Sequence, residues 1–205
     1  MSARRWVLAT GNAGKLREFR ALLAGTGIDF VAQDDFGVVG PEESATTFVE
    51  NALLKARHAA ERSGLPAIAD DSGLTVDALG GEPGVRSARF AGEGSSDADN
   101  LRLLLDRLRE VPDPLRSAQF HCVIAALRSP EDPIPLIAAG VWSGSIARIA
   151  AGGGGFGYDP VFLVPEKGVT AAELPLRTKN RLSHRAKALV AFREALEASA
   201  PGSRT

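Results

Sequence analysis

The chain has 205 residues, of which 44% are apolar and 24% are charged, and its formal net charge is -1. This length suits a globular domain with a sizeable core, and the near-neutral charge argues against a nucleic-acid binder, which usually has a strongly basic face. The single cysteine, Cys122, excludes an intramolecular disulfide framework and a multi-cysteine zinc site, and no apolar run is long enough to cross a membrane.

The first half of the chain is predicted to alternate strands and helices. An apolar strand over residues 6–10 precedes a helix that has apolar side chains on one face and ends at Gly25. A second helix begins at a capping box, formed by Thr47 and Glu50, and ends at Gly64.

The middle of the chain contains a conspicuous acidic segment, Asp-Asp-Ser-Gly at residues 70–73. These residue types dominate turns, so we predict a turn that joins short strands around Ala67 and Val76. A third helix is predicted over residues 99–109, where leucines recur on one face.

The remaining elements are predicted to be mostly strands. They are expected over residues 118–127, 134–142 and 161–164, followed by a last helix over residues 184–198. The tail over residues 201–205 is expected to be disordered. This mixture of strands and helices predicts an α/β fold with a mixed sheet and flanking helices.

The junction between the first strand and the first helix is a candidate phosphate site. Backbone N–H groups at a helix N-terminus are unpaired and the helix dipole favours anions, while glycines allow close approach. The spacing is not that of a P-loop, and an ordinary strand-to-helix turn explains the same pattern. The candidate residues are Thr10, Gly11, Asn12, Ala13, Gly14 and Lys15.

Paired carboxylates make the acidic segment a candidate metal site as well as a candidate turn. Mg²⁺ takes one or two carboxylates and completes its shell with water and substrate phosphates. Two further acids, Glu42 and Glu43, precede the second helix, where acids are expected because the helix dipole favours them.

Three polar residues in the first half of the second helix have different explanations. Glu50 is accounted for by the capping box. Asn51 and Lys55 share one face at four-residue spacing, about 100° from Glu50. A polar helix face is usually the solvent-facing side.

Five glycines within residues 152–157 surround Phe156 and suggest a backbone that lies against a planar ring, with Phe156 as the stacking surface. The alternative is that Phe156 and Tyr158 are core residues at a bend. Further on, residues 179–185 concentrate cations at a predicted helix start, where the dipole disfavours them. We interpret this segment as ligand-facing, with a solvated basic patch as the alternative.

These segments follow one another in a fixed order: TGNAGK, ENA with a lysine, ADDSGL, GGFGYDP and SHR. The ordered set resembles the inosine triphosphate pyrophosphatase family, the Ham1-like non-standard purine nucleotide pyrophosphatases, from residue 7 to about residue 196. The resemblance implies an elongated α/β fold, one domain over residues 1–200 with two lobes around a central cleft, and a homodimer. Since the chain lacks the apolar stretch of a secretory signal, we expect a cytoplasmic protein.

The resemblance also implies an activity. Such enzymes hydrolyse ITP, dITP and XTP to the monophosphate and pyrophosphate with Mg²⁺, which cleanses the nucleotide pool. Glu43, or the adjacent Glu42 as the alternative, would bind the metal together with Asp71. Asp71 and Asp70 would be catalytic, with Asp71 the candidate base. The substrate would be bound by residues 10–15 and by Lys55, Ser72, Phe156, Gly157, Tyr158, Asp159, Lys179, His184 and Arg185.

Selectivity for the base would follow from hydrogen-bond matching. Hypoxanthine and xanthine carry a 6-oxo acceptor that His184 and Arg185 could recognise as donors. Adenine has an amino group there and would leave those donors unpaired.

Two other functions compete with this one. Maf-like pyrophosphatases share the fold but lack the SHR and GGFGYDP segments. A non-catalytic nucleotide- or RNA-binding module would have a basic face and dispensable acids, whereas here the net charge is -1 and acids are central to the motif set.

Overall fold

A computed structural model describes residues 4–11, 13–25 and 27–198 of the chain. The strands are Arg4–Leu8 (β1), Ile28–Ala32 (β2), Ala67–Val76 (β3), Ser117–Leu127 (β4), Leu136–Ile146 (β5), Phe162–Val164 (β6) and Val169–Thr170 (β7). The α-helices are Ala13–Leu22 (α1), Phe48–Ser63 (α2), Asp97–Arg107 (α3), Leu176–Leu182 (α4) and His184–Ala198 (α5). Within these described ranges, no helix is long and apolar enough to span a bilayer.

The strands form one mixed sheet in the order β2-β1-β3-β4-β5-β6-β7. β1 runs parallel to both of its neighbours, with Trp6 opposite Phe30 in β2 and Val7 opposite Ala67 in β3. At the other edge, β5 and β6, and then β6 and β7, pair antiparallel. The predicted α/β fold with a mixed sheet and flanking helices is therefore confirmed.

By its internal contacts the chain divides into two compact units. The first comprises the described residues of Met1–Asp71, Cys122–Gly140 and Arg185–Thr205, and the second comprises Ser72–His121 and Val141–His184. The tail over residues 201–205 lies outside the described residues, and the single two-lobed domain over residues 1–200 stays a prediction.

The core of the first unit lies on both faces of the parallel strands. Leu8, Ile68 and Phe19 pack in one cluster, and the alanines of α2 pack with Val7 in another. Strands buried on both faces are expected where parallel pairs are covered by helices. Small side chains on α2 allow that helix to approach the sheet closely.

The core of the second unit contains a group of aromatic rings among aliphatic side chains. Phe120, Trp142 and Phe162 pack together, with the Phe120 and Phe162 ring centroids 4.6 Å apart and those of Trp142 and Phe162 5.1 Å apart. Ring pairs at these separations contribute beyond simple area burial.

Helix starts follow the capping chemistry of the sequence. The backbone N–H of Glu50 donates to the Thr47 hydroxyl at 3.3 Å and the Thr47 N–H donates to the Glu50 carboxylate at 3.1 Å, so the predicted capping box is confirmed. Ser96 and Asp99 form a second capping box, which starts α3 at Asp97. The helix therefore begins two residues before the predicted start at residue 99, because Ser96 caps it.

The predicted turn at residues 70–73 was wrong. β3 runs unbroken from Ala67 to Val76, and both aspartates are buried within it. Asp and Ser favour turns because their short polar side chains hydrogen-bond the nearby backbone. Here Asp70 and Asp71 instead meet cationic side chains from neighbouring helices, so the extended backbone can continue through them.

The connection between β4 and β5 is held by hydrogen bonds to the carboxylate of Asp132. Its carboxylate accepts backbone N–H bonds from Arg128 at 2.9 Å and Ile134 at 3.0 Å and two bonds from the Arg128 guanidinium. These donors, the Arg128 side chain first, hold the pKa of Asp132 well below its usual range.

We predict that Asp132→Asn lowers the free energy of unfolding by about 1–2 kcal/mol at pH 7. The loss is smaller than for a fully buried ion pair because Arg128 is exposed. A carboxyl group whose pKa is lower in the folded state stabilises fully above its unfolded pKa. The deficit should therefore shrink as the pH falls below about 4. Urea denaturation at pH 7 and pH 3 measures it, with Glu131→Gln, an exposed neighbour, as the control. A deficit that is unchanged at pH 3 would contradict the prediction.

Candidate active site

Asp71 is the centre of the site in the first unit. Its side chain is only 7% exposed, and the Lys55 ammonium donates to its Oδ1 at 2.7 Å while the Asn51 amide donates to its Oδ2 at 3.3 Å. The predicted common face of Asn51 and Lys55 is thus confirmed, and what the two residues share is Asp71. Burial raises the pKa of Asp71, an effect that Lys55 partly offsets.

Lys55 joins Asp71 to a second carboxylate. Its Nζ also donates to Oε1 of Glu43 at 2.8 Å, so one ammonium group bridges two acids. Burial opposes the charge of Lys55, but the carboxylates of Asp71, Asp70 and Glu43 outweigh burial and raise its pKa. The neighbouring Glu42 is exposed, so the geometry favours Glu43 over Glu42 as the second acid of the site.

The donor set suits a hydrated magnesium ion rather than a protein cage. No group of three or more histidine, cysteine or acidic side chains that could hold a metal is found in the described part of the chain. Mg²⁺ needs only one or two carboxylates, with water and phosphate oxygens for the rest. Glu43 and Asp71 each place an oxygen within hydrogen-bond distance of one cationic nitrogen. Both acids can therefore face one cation, and their chemistry fits Mg²⁺.

Asp70, next along the strand, has a different environment. Alternate side chains of a strand point to opposite faces, and the Asp70 carboxylate, 0% exposed, lies 2.9 Å from Lys15 Nζ and 3.5 Å from Arg185 Nε. The Cys122 thiol lies 4.0 Å away. Burial opposes ionisation of Asp70, but Lys15, Arg185 and Lys55 outweigh it and hold its pKa well below the usual range. Asp70 is an ion-pairing carboxylate, and its predicted catalytic role stays a prediction.

The candidate phosphate turn has the predicted strand-to-helix context. β1 ends at Leu8 and α1 begins at Ala13, so Gly11 lies in the connection and Lys15 in the first helical turn. A Cβ atom added at Gly11 would meet nothing within 4 Å, so the backbone there is open to a ligand. Asn12 lies outside the described residues.

A second constellation, in the second unit, brings together Phe156, Asp159 and Lys179. The Lys179 ammonium donates to Asp159 Oδ2 at 2.5 Å and lies 5.3 Å from the centroid of the Phe156 ring. The backbone N–H of Phe156 donates to the same carboxylate at 2.8 Å. Gly155 has a φ of +76°, and a Cβ there would lie 2.0 Å from Asp159 Oδ2. Glycine is thus required where the carboxylate packs against the backbone.

The two aromatic residues of this segment behave differently. Tyr158 is buried in the core, and its hydroxyl donates to the carbonyl of Ser87 at 2.8 Å. Its burial fits the alternative interpretation of a core residue, and its predicted substrate role stays a prediction. Phe156 remains 39% exposed, in contrast to the buried Tyr158. The N–H of Gly157 donates to Asp97, which the sequence did not single out.

Of the three residues of this segment that were predicted to bind the nucleotide, Lys179 and His184 belong to the second unit and Arg185 to the first. Lys179 lies in the last turn of α4, where the dipole favours a cation, so the argument that it opposes the dipole was wrong. His184 stacks on Phe120 with centroids 4.7 Å apart, in the second unit. Arg185 belongs to the first unit and donates to Glu18 at 2.7 Å as well as to Asp70.

Sequence reasoning missed Glu18 and assigned Ser72 only through the family resemblance. Glu18 follows Lys15 by three residues in α1, a spacing that places both on one helix face, and that spacing could have identified it. Ser72 is half-buried and directly follows Asp71 in β3. The predicted substrate roles of these and the other site residues stay predictions.

Comparison with known proteins gives the family. The profile of the Ham1 family matches residues 6–195. A dITP/XTP pyrophosphatase of Shigella flexneri is 59% identical over 190 residues, which cover 93% of this chain and 96% of the relative. The enzyme of the same name from Escherichia coli strain K12 is 57% identical with the same coverage.

Solved structures agree with this result. A Ham1 protein from Coxiella burnetii superimposes with a TM-score of 0.90 at 49% identity, covering 96% of this chain and 100% of that one. The resemblance read from the ordered motifs is confirmed: the chain belongs to the Ham1 family.

Proposed function

We propose that this protein hydrolyses the non-standard purine nucleotides ITP, dITP and XTP to the monophosphate and pyrophosphate, and so cleanses the nucleotide pool. The observation that carries the proposal is the Lys55 ammonium that bridges Glu43 and Asp71. Relatives more than half identical to this chain are dITP/XTP pyrophosphatases, which supports the substrate class.

The triphosphate is bound by the turn over residues 10–15. Open backbone at Gly11, the N-terminus of α1 and the Lys15 ammonium together suit an anion. Lys15 is paired with Asp70 through an almost buried contact, so its charge is positioned before the substrate arrives. Such preorganised charge is a large term in phosphoryl transfer.

Glu43 and Asp71 would hold Mg²⁺. When bound, the ion would supply neutralising charge to the phosphates and to the departing pyrophosphate. Lys55 faces the same two carboxylates, keeps them oriented and adds a further positive charge.

Asp71 is the proton acceptor. A water molecule forms a bond to the α-phosphorus, the bond from that phosphorus to the bridging oxygen breaks, and pyrophosphate leaves. The proton from the water passes to Asp71, whose Oδ2 accepts a long hydrogen bond of 3.3 Å from the Asn51 amide. Burial raises the pKa of Asp71, which brings this carboxylate closer to the working pH of a base.

For the purine, we propose stacking on the exposed ring of Phe156. Lys179 lies over this ring and is held by Asp159. His184 remains the proposed donor to the 6-oxo group, and Arg185, which is held by two carboxylates, remains a less direct candidate. We further propose a homodimer that works in the cytoplasm, where its nucleotide substrates are used.

Release of pyrophosphate from a panel of nucleoside triphosphates tests the activity. We predict turnover of XTP, dITP and ITP well above that of ATP, and loss of turnover in excess EDTA with recovery on adding Mg²⁺. Turnover that persists unchanged in EDTA would remove the metal from the proposal. Binding of the same nucleotides without any release would favour the non-catalytic alternative.

The two acids that share Lys55 give a sharper prediction. Asp71→Asn keeps the shape but removes charge and basicity, so kcat should fall by about 10²-fold or more. Glu43→Gln should raise the Mg²⁺ concentration needed for half-maximal rate, since a ligand charge is lost.

Glu42→Gln is the matched control, because it also removes one carboxylate charge, and Glu42 is an exposed residue next to Glu43. It should leave both kcat and the Mg²⁺ requirement unchanged. If Glu42→Gln shifts the Mg²⁺ requirement and Glu43→Gln does not, the metal ligand is Glu42.

Phe156→Ala tests base stacking. Loss of a stacking ring is worth about 1–3 kcal/mol, so kcat/KM for XTP should fall by about tenfold or more. Ile149→Ala removes another exposed apolar side chain of the same unit and should change nothing. Equal kcat/KM values for the two variants would exclude Phe156 from the binding of the base.

A further inference from the structure

Four charged side chains of the first unit form an alternating chain that begins and ends on α1. Lys15 pairs with Asp70 at 2.9 Å, Asp70 with Arg185 at 3.5 Å, and Arg185 with Glu18 at 2.7 Å. Lys15 and Glu18 lie three residues apart on that helix. These ion pairs therefore link α1 to the strand β3 and to the start of α5.

Burial makes this arrangement demanding. The side chains of Asp70 and Arg185 are 0% and 4% exposed, and a buried charge is tolerated only with partners in good geometry. Arg185 uses Nε for Asp70 and Nη1 for Glu18, and its planar group fixes the angle between them. Glu18 therefore determines how closely the guanidinium can approach Asp70.

Lys15 and Arg185 compete for the same acceptor. Both contact Oδ2 of Asp70, Lys15 at 2.9 Å and Arg185 at the longer distance of 3.5 Å. Glu18 holds the guanidinium at 2.7 Å on its other side, so Asp70 is left mainly to the lysine. Without the charge of Glu18, Arg185 is drawn towards Asp70 and the hold on Lys15 weakens.

We infer that Glu18 is a positioning residue, which acts through Arg185 and Asp70 to fix the Lys15 ammonium in the turn that takes the triphosphate. This inference rests on the proposed function, because the role of Lys15 is to bind phosphate. It adds a residue that neither the motifs nor the family resemblance had singled out. Its effect on the reaction should pass entirely through Lys15.

A double-mutant cycle tests the inference. Glu18→Gln, Lys15→Ala and the double variant are compared for kcat and KM with XTP and Mg²⁺, at a temperature where urea denaturation shows each to be folded. We expect Glu18→Gln to lower kcat/KM by about tenfold when Lys15 is present and by less than about twofold when it is absent. Glu18→Asp, which keeps the charge, should restore part of the activity and replaces Glu18→Gln in the cycle if that variant fails to fold.

The control is Glu197→Gln, which breaks an exposed arginine–glutamate pair with Arg193 on α5 and should leave kcat/KM unchanged. Equal losses from Glu18→Gln with and without Lys15, or a fall in stability with unchanged kcat/KM, would overturn the inference. The four ion-paired side chains would then only stabilise the fold. An unmutated protein that releases no pyrophosphate from any nucleotide would instead overturn the proposed function, and the inference with it.

Discussion

Two adjacent carboxylates buried inside one strand are the constraint on which the first unit depends. Each would cost several kcal/mol if it were left without cations or hydrogen bonds. Because Asp70 and Asp71 point to opposite faces of β3, each face needs its own cations. Lys15 and Arg185 supply them for Asp70 and Lys55 for Asp71, so three helices converge on this strand.

The same constraint gives neighbouring aspartates different chemistry. Asp70 meets two cations and has a strongly lowered pKa, which suits a fixed anchor for Lys15. Asp71 shares one lysine with Glu43 and has a raised pKa, which suits a group that accepts a proton. Identical side chains one residue apart thus have opposite pKa shifts, and the cations on the surrounding helices set the difference.

The second unit also neutralises a buried carboxylate, that of Asp159, and this carboxylate holds the loop that carries the exposed ring of Phe156. Asp159 is buried against Lys179 and the backbone of Gly155, and it accepts the N–H of Phe156. This pairing fixes the loop while leaving the Phe156 ring at the surface with a cation over it. Tyr158, two residues further on, turns into the core instead. Glycines and a buried ion pair, rather than regular structure, hold this segment.

Local rules were enough to determine much of this protein from its sequence. Capping at Thr47 and Gly64 fixed α2, four-residue spacing placed Asn51 and Lys55 together, and the order of motifs identified the family. What the sequence could not decide depends on contacts between distant segments. Asp70 and Asp71 lie in a strand and not a turn because cations from other segments neutralise them. The contacts of Arg185 with Asp70 and Glu18 join residues more than 100 positions apart. Only the folded chain sets which cation neutralises which buried acid, because that pairing depends on distance in space and not along the sequence.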